Sequence, residues 1–195
     1  MIVVKFFKNL WGQLHRFVLW ALLLTLFWCW IYTFVGETTR AKKVLIYVDA
    51  YELDSQGLSE RLEDDGLPEG IKVIQIRSFA YHMFRSTLEG DAYLMKESLL
   101  KATLEETPGK LTAIEVPEGF TGYEWEGETW AILVYDAAAQ TGIASEYIRY
   151  LPYGDEEVEN FYLCFDAESP HVEGLPNAID NAAWEVVRNL LSLND

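Results

Sequence analysis

The apolar positions of this chain fall into two kinds of pattern. From Phe17 to Val35 there are 19 consecutive residues without a charge, and only Thr25 and Thr33 leave the apolar set. At 1.5 Å per residue this run predicts a helix of roughly 28 Å, close to the ~30 Å hydrocarbon core of a bilayer. Beyond residue 42 the apolar runs are short and separated by turns. Val44-Leu45-Ile46-Tyr47-Val48, ending at Asp49, reads as a strand buried on both faces. Leu53, Leu58 and Leu62 form a helical stripe stopped by Gly66 and Pro68. Ile71–Ile76 and Asp91–Met95 read as further strands, Phe79–Phe84 as a short helix or turn, and Ser98–Leu104 as a helix ended by Pro108-Gly109. This β-α-β-α-β order predicts an α/β sheet with right-handed crossovers.

Downstream the spacing changes. Leu111–Val116, a hairpin-like stretch from Gly119 to Gly127 and Thr129–Tyr135 read as extended segments joined by turns. Ile143–Tyr150 reads as a short helix and Phe161–Phe165 as another buried strand. Asn177–Leu193 closes the chain as an amphipathic helix, with Ile179, Ala183, Val186, Val187, Leu190 and Leu191 on one side. The expected fold is one N-terminal transmembrane helix followed by a single three-layer α/β domain with a mixed, mostly parallel sheet. The expected organisation is a basic prefix at 1–16, the span at 17–35, a linker at 36–41 and the α/β domain at 42–195.

Charge gives that organisation a direction. The chain has 195 residues, with 15 Lys plus Arg, 31 Asp plus Glu and a net charge of −16. Residues 1–36 carry Lys5, Lys8 and Arg16 and no acid, so they sum to +3; the remaining segment carries −19. With the positive residues before the span and Glu37 after it, the positive-inside rule predicts a single-pass cell-membrane protein with its C-terminal domain outside the cytoplasm. Trp20, Trp28, Trp30 and Tyr32 suit interfacial anchors. A cleaved signal peptide needs a shorter apolar region ending in small residues. A lipoprotein is equally poorly served, because Leu26-Phe27-Trp28 precedes Cys29. So acidic a domain offers a phosphate backbone no basic face, which excludes nucleic acid as a partner. Cys29 and Cys164 lie in separate parts of the chain and do not pair within it.

Four segments carry a family resemblance. Lys43–Asp49, Ile71-Lys72-Val73-Ile74-Gln75, Asp91-Ala92-Tyr93-Leu94-Met95, and Phe161-Tyr162-Leu163-Cys164-Phe165 with Ser169-Pro170 and a closing helix resemble the first lobe of the type 2 periplasmic solute-binding proteins. These are the extracellular receptors of ABC importers. The resemblance covers somewhat over half the chain. Members of that family grip a ligand between two lobes, and a second lobe takes on the order of 100 residues. Between Asp136 and Phe161 this chain has 24. The resemblance therefore implies a single lobe, with a permease or a second protein as a natural partner.

Enzyme chemistry has little to build on. The histidines are His15, His82 and His171. Asp166, Ser169 and His171 contain the residue types of a catalytic triad, but six consecutive residues of one chain do not ordinarily align a nucleophile, base and acid, and there is no G-x-S-x-G elbow. No H-E-x-x-H, C-x-x-C or EF-hand spacing marks a metal site, and Gly119, Gly122 and Gly127 suit a hairpin better than a phosphate loop. No cofactor is expected. Binding residues are easier to place, since open α/β sheets hold ligands beyond the carboxyl ends of their strands. That rule selects Asp49, Tyr51, Ser78, Tyr81, Tyr135, Asp136, Asp166 and Ser169, carboxylates and hydroxyls beside rings that suit a small polar solute. The competing roles are turn capping for Asp49 and Asp136 and core packing for the tyrosines. Trp125 and Trp130 flank a turn and read as a hairpin pair. The function expected is a membrane-tethered, non-enzymatic extracytoplasmic binding module for a polar solute or a transport-system protein. A structural protein docking onto a membrane complex is the alternative, and an extracytoplasmic hydrolase a lesser one.

Overall fold

The computed structural model describes residues 13–14, 16–30, 38–79, 89–152 and 157–193. The chain divides into two compact units, Met1–Thr39 and Arg40–Asp195. In the first, residues 13–14 and 16–30 are helical (α1), and every one of them is exposed. The transmembrane helix expected over 17–35 is not supported by the described residues. Among the described residues no helix is long and apolar enough to cross a membrane. Residues 31–35 of the expected span, and most of the basic prefix, lie outside the described residues.

The second unit starts with a 3-10 turn, Arg40–Lys42, that leads directly into β1, Lys43–Val48. A two-residue strand β2, Glu52–Leu53, precedes α2, Ser55–Asp64. Asp54 caps α2 by accepting from the Gly57 backbone N at 2.9 Å. Next come β3, Val73–Ser78; β4, Ala92–Lys96; and α3, Glu97–Glu106. The second half supplies β5, Leu111–Thr112; β6, Gly122–Trp125; β7, Glu128–Asp136; β8, Thr141–Gly142; and β9, Ile148–Arg149. It closes with β10, Phe161–Asp166, and α4, Ala182–Leu191.

Eight strands form one sheet in the order β3-β1-β4-β10-β7-β6, with β5 on β10 and β8 on β7, while β2 and β9 pair separately. Only β3-β1-β4 is parallel. Every other pairing is antiparallel, which corrects the mostly parallel sheet expected. The reason is the connections. The segment between β1 and β3 contains a helix and makes a crossover, whereas β6 and β7 are joined by a two-residue turn that can only reverse the chain. β10 then returns between β4 and β7, antiparallel to both.

Both faces of the sheet are covered. On one, Val44, Ile46 and Val48 pack with Leu58 and Leu62 of α2 and Val186, Val187 and Leu190 of α4. On the other, Leu45 and Tyr47 pack with Tyr93, Met95 and Cys164 under Leu99, Leu100 and Leu104 of α3. Two covered faces explain why β1 and β10 read as continuous apolar runs rather than alternating ones. Helix α2 also blunts the open edge of β3. Glu63 Oε1 accepts from the Ile74 backbone N at 2.9 Å, and Ser59 Oγ donates to the Ile74 carbonyl. The helix expected over Ile143–Tyr150 is instead a turn followed by β9. The closing helix starts only at Ala182, after turns, so Ile179 stands exposed.

Candidate functional site

The carboxyl ends of β1, β3, β4 and β7 lie along one edge of the sheet, and most of the expected binding residues meet there. Asp49 and Tyr51 follow β1, Ser78 ends β3 and Asp136 ends β7. Tyr81 lies outside the described residues. Asp166 and Ser169 sit at the opposite edge, because β10 runs against its neighbours and its carboxyl end faces the other way.

Asp49 is half-buried, with its backbone N donating to the Leu94 carbonyl at 2.8 Å. Burial pushes its carboxyl up from the ordinary value; Lys96 opposes the shift and Glu159 adds to it. Lys96 is the last residue of β4 and the N-cap of α3, and its Nζ stands 4.1 Å above the Tyr51 ring. Burial works against the Lys96 charge. A hydrogen bond with Tyr51 and the negative field of Asp49 and Glu159 outweigh it, so the ammonium is held above its usual value. Glu159 Oε2 accepts from Ser98 N at 3.0 Å at the start of α3. Asn160 ties the edge together, donating to Glu97 Oε2 at 2.9 Å and accepting from Ala137 N at 3.0 Å. The result is a carboxylate, an ammonium and a tyrosine face, all half-buried, on a rigid strand edge.

The other expected residues divide. Asp136 Oδ1 accepts from Ala138 N at 2.8 Å and Ala139 N at 3.1 Å, which is turn capping. Ser78 is exposed. Tyr135 is 4% exposed and stacks on Tyr150 with centroids 4.6 Å apart. Tyr150 spends its hydroxyl on the Ile143 carbonyl at 2.9 Å. The Tyr135 hydroxyl is buried with no hydrogen-bond partner. Trp130 Nε1 donates to the Trp125 carbonyl at 3.2 Å, so the two tryptophans meet across the hairpin.

The opposite edge holds a buried polar network. Asp91, 0% exposed, receives both Arg40 guanidinium nitrogens at 2.6 Å, the Leu45 N at 2.7 Å and Ser169 Oγ at 2.6 Å. Asp166 accepts from Tyr93 Oη, from Lys110 Nζ at 2.7 Å and from Glu168 N at 2.9 Å. His171 Nε2 donates to the Arg40 carbonyl at 3.0 Å, and Nδ1 lies 2.8 Å from Asp180 Oδ1. Ser169 Oγ accepts from the His171 backbone N at 3.1 Å, and neither ring nitrogen reaches that hydroxyl. The residues of the supposed triad are therefore neighbours in a turn, with the nucleophile bonded to Asp91. Among the described residues no group of three or more His, Cys, Asp or Glu is arranged to hold a metal ion.

Sequence reasoning missed Lys96, Glu159 and Arg40. Lys96 had a usable signal: a lone cation ending an apolar strand and directly preceding a helix start. Arg40 had none, because its partner is 51 residues away. Comparison with models of known protein families and with curated protein sequences found no match.

Proposed function

We propose that the α/β unit is a non-enzymatic binding module resembling one lobe of a solute-binding protein, and that it holds a small polar solute at the carboxyl edge of its parallel strands. The observation that carries this reading is the Asp49–Lys96–Tyr51 group. Asp49 has a desolvated carboxyl in the field of an ammonium that rests on a tyrosine ring. A desolvated acid opposite a fixed cation at a sheet's ligand-binding edge is the arrangement expected of a recognition site. Isothermal calorimetry on residues 40–195 with sugars, amino acids and dipeptides tests it. Saturable binding to one class, weakened about ten-fold in Lys96→Ala, is expected from losing one charge-assisted hydrogen bond. Flat titrations across the whole panel overturn the reading.

A second reading has its own support. Helix α1 carries Phe17, Leu19, Trp20, Leu23, Leu26 and Trp28, all more than 45% exposed. An apolar surface of that extent supports an interaction protein that docks onto a membrane complex such as a permease. Co-purification from detergent with a membrane protein, lost when Trp20 and Trp28 are changed to Gln, is the expected result; a chain that purifies alone under those conditions refutes it.

A further inference from the structure

The carboxyl edge of the parallel strands presents two opposite charges side by side. β1 leads into Asp49 and β4 ends on Lys96, and these strands are direct neighbours, with Val48 beside Leu94. The bond from Asp49 N to the Leu94 carbonyl, 2.8 Å, carries the pairing one step past the end of β1. Both side chains are half-buried, so each charge has given up part of its water.

The two charges are not spent on one another. Lys96 Nζ stands 4.1 Å above the Tyr51 ring and bonds Tyr51, and it reaches Asp49 as a field. An ammonium has three donors, so this contact leaves Lys96 with donors to offer. Burial and the fields of Lys96 and Glu159 act on the Asp49 carboxyl; no hydrogen bond from a described residue does. Glu159, the other carboxylate in that field, is engaged, because its Oε2 accepts from Ser98 N at 3.0 Å. Asn160 is engaged as well, with Glu97 and Ala137. The edge therefore keeps one anionic acceptor and one cationic donor, each fixed by its own strand.

We propose that the ligand of this edge is a small zwitterion, an α-amino acid whose ammonium bonds Asp49 and whose carboxylate bonds Lys96. The inference rests on the reading of this edge as a solute site and names the class of solute. Charge separates the classes. An amine without a carboxylate satisfies Asp49 and meets Lys96 as like charge. An acid without an ammonium pairs with Lys96 and meets Asp49 and Glu159 as like charge. A sugar can bond either group and compensates neither charge. A molecule that carries both charges gives each partner a charge-assisted bond, the stronger kind, and matches the site in sign at both ends.

Calorimetry on the full-length chain with L-alanine, L-alaninamide and N-acetyl-L-alanine tests the class, since the three share a core and differ in charge. Alanine is expected to bind at one site per chain. Alaninamide, a cation, and N-acetylalanine, an anion, are each expected to bind at least about ten-fold more weakly, the worth of one charge-assisted hydrogen bond. Two variants sort the charges. Asp49→Asn is expected to erase the advantage of alanine over N-acetylalanine and to keep its advantage over alaninamide; Lys96→Ala is expected to do the reverse. These are ratios within one protein, so a loss of folded chain common to all three ligands leaves them unchanged. A derivative that binds as tightly as alanine overturns the proposal, and so do variants that weaken all three ligands equally. Saturable binding of a sugar or a dipeptide without binding of alanine overturns this inference and leaves the proposed function standing, whereas flat titrations with every ligand overturn both.

Discussion

Replacing Asp91 with alanine removes the acceptor at the centre of the buried network. In the native chain this carboxylate is 0% exposed and receives four donors, two from Arg40 and one each from Leu45 N and Ser169 Oγ. The variant leaves the Arg40 guanidinium without its partner in a site where its side chain is 30% exposed. Breaking a buried ion pair by removing one member costs about 3–5 kcal/mol, and this partial exposure places Arg40 toward the lower end. The Leu45 N–H, on a buried strand, loses its acceptor as well, at about 1–3 kcal/mol. Ser169 Oγ keeps one bond, from the His171 backbone N. The losses share one site and do not add fully, so a destabilisation of about 4 kcal/mol is expected. That is a large part of the roughly 5–15 kcal/mol that holds a domain folded. Urea unfolding of residues 40–195, followed by circular dichroism, measures it as a lower midpoint at unchanged slope. A cycle with Arg40→Ala should show that the double variant loses less than the two single losses together. If Asp91→Ala costs under about 1 kcal/mol, the reasoning that treats this network as a buried, saturated charge site is wrong.

Two further perturbations act on the opposite edge. Burial raises the Asp49 carboxyl above its ordinary value of 3.8, with Lys96 opposing and Glu159 adding. The folded chain therefore holds that proton at pH values where the unfolded chain has lost it. The contribution is most favourable below 3.8 and declines as pH rises through the raised folded value. Asp49→Asn should abolish that decline, so melting temperatures of parent and variant measured from about pH 3 to 7 should diverge; parallel curves contradict the assignment. Gly142→Ala places a Cβ 2.7 Å from Tyr135 Cδ2 and 3.0 Å from Tyr150 Cε2, closer than side chains pack. It should cost about 1–3 kcal/mol in urea unfolding by forcing that stack apart, and an unchanged midpoint would show the stack to be loose.

What the amino-acid pattern revealed depended on distance along the chain. β1 declared itself through five consecutive apolar residues, and α2 through Leu58 and Leu62, because burial on one or two faces is written locally. The direction of β10 was not written locally. Phe161–Asp166 carries the same apolar run whichever way it pairs, and pairing with β4 across more than sixty residues decided it. That one undetermined direction moved Asp166 and Ser169 to the wrong edge. Likewise the uncharged stretch from Phe17 set an expectation of a membrane span, which no helix among the described residues is long and apolar enough to meet.

The two edges of the sheet differ in how their charges are satisfied, and that difference separates architecture from recognition. At the amino edge, Asp91 and Asp166 each meet three or more donors, and the strands' own backbone supplies some of them. Such groups have no capacity left for a ligand, and disturbing them must cost stability first. At the carboxyl edge, Asp49 is desolvated while its compensation comes chiefly from the field of one lysine. A molecule that supplies a further partner there gains free energy on binding, so substitution of Lys96 should change affinity more than stability. The reverse ordering is expected at Asp91, and measuring both quantities for Asp91→Ala and Lys96→Ala distinguishes a scaffold edge from a binding edge.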